Sequence, residues 1–252
     1  MPFPIQLHFG SVVISLHMLL ESLGIFIGFR YFLYLRKKRG DIIEQTNRTW
    51  IIIAAIFGAV FGSRLIGALE NPPGWFHADN RWIYFFQNKT VLGGFLGSLF
   101  LVELVKKIIG ERRASGDLFV YPVVLALIIG RIGCFSMGIY EETYGVETSL
   151  PWAINLGDGL RRHPVALYEI IFLIFLWAAL KWGQKIMALE NGALYKLFMI
   201  SYMLFRFFLD FIKPHYTLPF GLSIIQLTCL AGLIYYHPYI LKPKKLLKLV
   251  YA

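Results

Sequence analysis

Seven stretches of mainly apolar residues, each long enough to cross a bilayer as a helix, narrow the possible folds more than any other feature. They lie at roughly 11–35, 49–69, 91–110, 118–137, 165–183, 192–212 and 220–241. At about 1.5 Å per residue, a helical run of about 20 residues spans the hydrocarbon core. Inside that core every backbone N–H and C=O must find its partner within the chain, which a helix achieves by itself. With 57% of 252 residues hydrophobic, against about 45–50% in soluble domains, the sequence predicts an all-α, polytopic integral membrane protein. Its seven transmembrane helices would form a single domain over residues 1–252. No soluble insertion, low-complexity linker or internal repeat is evident. The N-terminus lacks a basic region and its first apolar run is long enough to stay as a span, so no cleavable signal peptide is expected.

Orientation follows from lysine and arginine. Four connecting or terminal segments would share one side of the membrane: Arg36, Lys37, Lys38, Arg39 and Arg48; Lys106, Lys107, Arg112 and Arg113; Lys181, Lys185 and Lys196; Lys242, Lys244, Lys245 and Lys248. The other side holds Arg81, Lys89, Arg161, Arg162 and Lys213. The richer side is cytoplasmic, which places the N-terminus outside and the C-terminus in the cytoplasm. The net charge of +10 is thereby read as topology, with anionic lipid as a secondary partner. Nucleic acid is excluded, because the basic residues are scattered over short loops and form no stripe.

Gly24-xxx-Gly28, Gly58-xxx-Gly62 and Gly93-xxx-Gly97 predict close helix packing in lipid. Two longer outer segments, about 70–90 and 138–164, carry turn formers and several aromatics such as Trp75, Phe76 and Trp82. They would either lie in the headgroup region or serve as plain connectors with interfacial aromatics. Cys134 and Cys229 form no CxxC and no metal-ligand spacing. They are read as small apolar residues, and no metal or other cofactor is expected.

Charge inside the spans carries the functional signal. Arg64, Arg131 and Arg206 would lie at one depth, roughly 5–10 Å below the outer surface. Asp210, four residues after Arg206, would share its helix face and pair with it. Glu169 starts the fifth span and Glu21 falls near the middle of the first. Three arginines and three carboxylates cancel, so a self-neutralised structural network is one reading. Buried ion pairs are often no better than apolar packing for stability, and that favours a site. Guanidinium groups bind phosphate bidentately. At the headgroup level the abundant phosphate is a phospholipid's, and the same arginines would stabilise charge on a departing phosphate.

Gly130-Arg131-Ile132-Gly133-Cys134-Phe135, Tyr144-Gly145 and His163-Pro-x-x-Leu167-Tyr168-Glu169 resemble the signature region of prolipoprotein diacylglyceryl transferases. Gly62-Ser63-Arg64-Leu65, Gly93-Gly94-x-x-Gly97, Arg206-x-x-x-Asp210 and Gln226 are similar to further motifs of that family along nearly the whole chain. The resemblance implies seven spans with the N-terminus outside, in the bacterial inner membrane. It implies transfer of the diacylglyceryl group of phosphatidylglycerol to the lipobox cysteine of a prolipoprotein signal peptide, without metal or nucleotide, releasing glycerol phosphate. Arg131 and Arg206 would be catalytic. Arg64, Gly133, Gly145, Glu169 and Asp210 would shape the substrate site, with Asp210 orienting Arg206. The sequence departs from the pattern at Leu92, Cys134, Leu19 and Asp210, where the family has histidine, asparagine, tyrosine and glutamate. A family base is therefore missing. Glu21, His17 and His163 are the candidate replacements, with Glu169 or water as further proton acceptors. A non-catalytic or re-purposed phospholipid-binding or transport paralogue is the competing class.

Overall fold

The computed structural model describes residues 3–10 and 12–248. The chain opens with a β-hairpin, β1 (Gln6–Phe9) and β2 (Val12–Ser15), paired antiparallel with Gln6 opposite Ser15. This corrects the expected first span, because helix α1 (Leu16–Arg39) begins at Leu16 and not near residue 11. The consecutive β-branched residues Val12, Val13 and Ile14 favour a strand, and Gly10 supplies the positive φ of 61° at the hairpin turn.

The helices that follow are α2 (Gln45–Glu70), the short α3 (Pro72–Phe76) and α4 (Arg81–Gln87), α5 (Val91–Ile108), α6 (Val120–Met137), α7 (Val165–Ile186), α8 (Ala193–Leu209) and α9 (Ile224–Leu241). Among the described residues five segments are long and apolar enough to cross a membrane: Leu16–Arg39, Gln45–Glu70, Asp117–Tyr140, Val165–Ile186 and Ile224–Leu241. The protein is thus helical and multi-pass. Helix α5 carries three charged residues, Glu103, Lys106 and Lys107, and α8 has 17 residues.

Local chemistry sets the helix ends. Arg36, Lys37, Lys38 and Arg39 occupy the last turn of α1, where cations complement the helix dipole. Thr90 caps α5 by accepting from the Gly93 amide, and Asn80 caps α4 from Trp82 and Ile83. Ser223 and Gln226 form a reciprocal capping box at the start of α9.

The glycine pairs do what their spacing predicts. On α2, a Cβ at Gly58 or Gly62 would collide with backbone atoms of Gly97 and Gly93 on α5. On α1, Gly24 and Gly28 lie against the carbonyls of Ala126 and Pro122 on α6, which would stand 2.9 and 3.0 Å from an added methyl. Two tightly interlocked pairs result, α2 with α5 and α1 with α6. Helices α7, α8 and α9 complete the bundle around Phe198, Tyr202, Met203, Leu173, Ile225 and Cys229.

The α2–α5 and α6–α7 connections carry exposed aromatics, including Phe76, Trp82, Phe86 and Trp152. A two-stranded ribbon, β3 (Ile154–Asn155) with β4 (Arg161–Arg162), rises between α6 and α7. At the opposite end Arg48, buried in α2, donates to Asp41 at 2.6 and 2.8 Å and to the Ser115 carbonyl at 2.9 Å. That network ties the α1–α2 loop to the α5–α6 loop.

Candidate active site

Three helices bring the intramembrane charges together. Glu169 sits one turn into α7, fully buried. Its Oε1 lies 2.9 Å from Arg131 Nε on α6, and its Oε2 accepts from Arg206 Nη1 on α8 at 3.2 Å. Tyr202, one turn before Arg206, donates its hydroxyl to Oε1 at 2.7 Å. One carboxylate therefore holds two guanidinium groups. The pair keeps a net positive charge, and neither Arg131 Nε nor Arg206 Nε has a well-aligned hydrogen-bond acceptor among the described residues.

The expected Arg206–Asp210 pair is not formed. Asp210 opens a 3-10 turn (Asp210–Ile212) at the end of α8, so the four-residue helical spacing no longer points the two side chains at each other. Its Oδ2 instead accepts from the Ser223 hydroxyl and lies 3.8 Å from His215 Nδ1. Arg64 also stands apart, with no ion pair or side-chain hydrogen bond among the described residues. Glu21, near the start of α1 and not at its middle, pairs with Lys89 at 2.7 Å and approaches His17 Nε2 at 3.4 Å. The self-neutralised network of three arginines and three carboxylates is thereby overturned: only Glu169 pairs with the arginines.

The arginine pair faces a cavity of about 550 Å³. Arg131, Glu169, Arg206 and Lys213 line its charged end, His17, Glu21, Cys134 and Glu141 another edge, and Ile25, Val123, Ala126 and Leu127 its apolar wall. Burial lowers the affinity of Lys213 for its proton, and the positive charge of Arg206 adds to that. A larger cavity of about 1,200 Å³ shares Glu21, Ile25, Ser63, Lys89 and Val123 with the first. It passes Arg64, then Ala59, Phe95, Leu99 and Phe119, and reaches Arg112 and Arg113 at the far end. A charged head, an apolar trough and convergent donors suit an amphiphile with an anionic group.

The remaining sequence candidates divide. His17 lines the cavity. His163 does not; its Nδ1 is 3.1 Å from the Tyr168 hydroxyl, which also accepts from Trp152 at 2.8 Å. Gly145 packs against His163, whose Cβ would be 2.5 Å from an added methyl, and donates its amide to the His163 carbonyl. Gly133 lets α1 approach, with His17 Cα and Nδ1 within 3.2 and 3.3 Å of where a Cβ would stand. Lys213, Tyr202 and Glu141 were missed by sequence reasoning. The first and last are in loops, and Tyr202 reads as one more aromatic in an apolar run.

A profile of the prolipoprotein diacylglyceryl transferase family matches residues 4–241. The chain belongs to this family. It is similar to the phosphatidylglycerol–prolipoprotein diacylglyceryl transferase of Bordetella parapertussis, 30% identical over 223 residues, covering 83% of this chain and 82% of that one. The protein of the same name from Corynebacterium diphtheriae is 27% identical over 247 residues, covering 86% and 84%. That of Finegoldia magna is 28% identical over 230 residues, covering 86% of each. Set on this geometry, two of the chain's departures from the family pattern and its matching late glutamine acquire positions. Leu92 is buried in the hydrophobic core and lines neither cavity. Leu19 is 45% exposed on α1. Gln226 is engaged in capping α9, with its Nε2 donating to the Phe207 carbonyl.

Proposed function

We propose that this member of the prolipoprotein diacylglyceryl transferase family moves the diacylglyceryl group of phosphatidylglycerol onto the lipobox cysteine thiol of a prolipoprotein signal peptide, releasing glycerol phosphate. The observation that carries this reading is the sharing of one carboxylate, Glu169, by two guanidiniums at the charged end of an amphipathic cavity. Arg131 and Arg206 hold the lipid phosphate and favour the transition state as negative charge leaves with glycerol phosphate. Glu169 and Tyr202 fix the two arginines. Lys213 adds a third cation at the same end, and Arg64 serves the adjoining trough, where the acyl chains lie along Phe95, Leu99 and Phe119.

Asp210 anchors the end of α8 through Ser223, a change from orienting Arg206. Gly133 and Gly145 permit close backbone approach. The acceptor thiol loses its proton at the edge of the cavity that carries His17, Glu21 and Glu141; His163, turned to Tyr168, takes no part. The protein works as a single seven-helix domain of the bacterial inner membrane, with α5 and α8 spanning alongside the other five helices. Its N-terminus faces outward and its C-terminus the cytoplasm, consistent with the basic loops.

The test uses purified protein with phosphatidylglycerol and a lipobox peptide, scoring glycerol phosphate release and peptide mass together. Arg131→Ala and Arg206→Ala should each lower transfer by about 100-fold or more, the scale for losing one donor to a developing charge. Transfer at the unmodified rate by either folded variant removes the assignment.

A further inference from the structure

We propose that His17, Cys134 and Glu141 form a binding site for a soft divalent cation of the zinc class, open on its fourth side to the cavity of the arginine pair. One ligand atom from each lies within 4.8 Å of the other two. His17 Nδ1 is 3.2 Å from Glu141 Oε2. Both atoms are buried, and neither makes a well-aligned hydrogen bond among the described residues. Cys134 is a buried free thiol, contacted by Arg131 Nη1 at 3.4 Å.

The donor set fits the ion. Imidazole nitrogen, thiolate and carboxylate are the ligands zinc selects, and a tetrahedral ion would hold them about 3.3–3.6 Å apart. Thiolate and carboxylate together balance a 2+ charge. The other imidazole nitrogen, Nε2, faces Glu21 Oε2 at 3.4 Å, the carboxylate–histidine arrangement that orients a metal-bound imidazole. Three protein ligands with one open position is the pattern of a catalytic zinc site, whereas structural sites are closed by four. The ligands come from the first turn of α1, the end of α6 and the connection after it. That is why spacing in the sequence does not reveal them.

The ion itself does not rest on the transferase reading, but its consequence does. An acceptor thiol entering the open position would coordinate as thiolate and release its proton to water at the cavity mouth. Its sulfur would attack the glyceryl carbon. The carbon–oxygen bond would break, and the electron pair would leave on the phosphate held by Arg131 and Arg206. The metal would then do the work of the base absent at Leu92, with His17 a ligand and not a free base.

The experiment is metal analysis of the full chain purified in detergent from zinc-supplemented cells, followed by cobalt titration of chelator-stripped protein. About one zinc per chain and a thiolate-to-cobalt charge-transfer band are expected. Both should be lost in Cys134→Asn, which places the family's own residue there and should fold, and in His17→Ala. Glu21→Gln should keep the band while weakening metal affinity by about 10-fold or more. Wild-type protein holding no more zinc than Cys134→Asn, with no band, overturns the site. If such metal-free protein still releases glycerol phosphate, the site fails and the transferase reading stands. Zinc bound through these residues without any transfer supports the site and sinks the transferase reading instead.

Discussion

Replacing Glu169 by glutamine tests the centre of the site with the smallest change in shape. The amide can still accept from Tyr202, 2.7 Å away. It loses the charge that holds Arg131 Nε at 2.9 Å and Arg206 Nη1 at 3.2 Å. Breaking a buried ion pair by removing one partner costs about 3–5 kcal/mol, because the remaining charge is left uncompensated. Two guanidiniums depend on this carboxylate, but glutamine retains part of the hydrogen bonding, so about 3 kcal/mol is the expected loss. In a chain of this size that corresponds to a fall of roughly 6–12 °C in the unfolding midpoint. It should be read by tryptophan fluorescence in detergent. Transfer should fall with it, by about 100-fold, as the arginines leave the geometry in which they grip phosphate. A variant with an unchanged midpoint and unchanged glycerol phosphate release would refute the bridging role.

Further outcomes follow from other parts of the molecule. Gly62→Ala drives a methyl into the backbone of Gly93 and Gly97 and should cost about 1–3 kcal/mol of stability; Gly130→Ala, whose added carbon meets no neighbouring element within 4 Å, should unfold no earlier than the wild type. Ser223→Ala removes both the α9 cap and the hydroxyl facing buried Asp210, for a loss of about 1–3 kcal/mol by the same assay. In the α5–α6 loop, hydrogen bonds from Arg113 hold the Glu111 carboxyl down at about 2. For Asp41, burial alone would raise the pKa, but bonds from Arg48, the Ile43 amide and Arg36 outweigh it and leave a net lowering. The stabilisation these carboxylates give is complete above an ordinary carboxylate pKa of about 4 and lost as pH falls towards the lowered folded values. Midpoints measured from about pH 6 to 3 should decline, less steeply in Arg113→Ala; parallel curves would exclude the contribution.

Much of this molecule is legible in its sequence because lipid imposes a simple rule: backbone groups must be satisfied locally, so apolar length reports helix. Glycine spacing reports the α2–α5 and α1–α6 seams for a related reason, since close approach leaves no room for a side chain. Counting along helices puts Arg64, Arg131 and Arg206 at one level, with Glu169 at the start of its span, but does not show that Arg64 would stand apart from the other two. What counting could not do was say which carboxylate each arginine would meet. That depended on α8 tightening into a 3-10 turn at Asp210, and on a serine thirteen positions later. The hairpin ahead of α1 was hidden because Val12, Val13 and Ile14 read equally well as membrane helix or as strand. His17, Cys134 and Glu141 were individually visible but unrelated by any period, because their meeting is a property of how α1 leans on α6 at Gly133.

The glycine seams have a mechanical consequence. Each interlocks backbone against backbone, so α2 with α5 and α1 with α6 each behave as a stiff plank. Both cavities take part of their linings from the two planks, and Glu21 of α1 and Lys89, just before α5, reach across as a strap. Such a half-exposed ion pair contributes only about 0–1 kcal/mol. Compliance is thereby concentrated in the gap between two rigid bodies, where a two-tailed molecule could slide in sideways from the bilayer without any helix having to unwind.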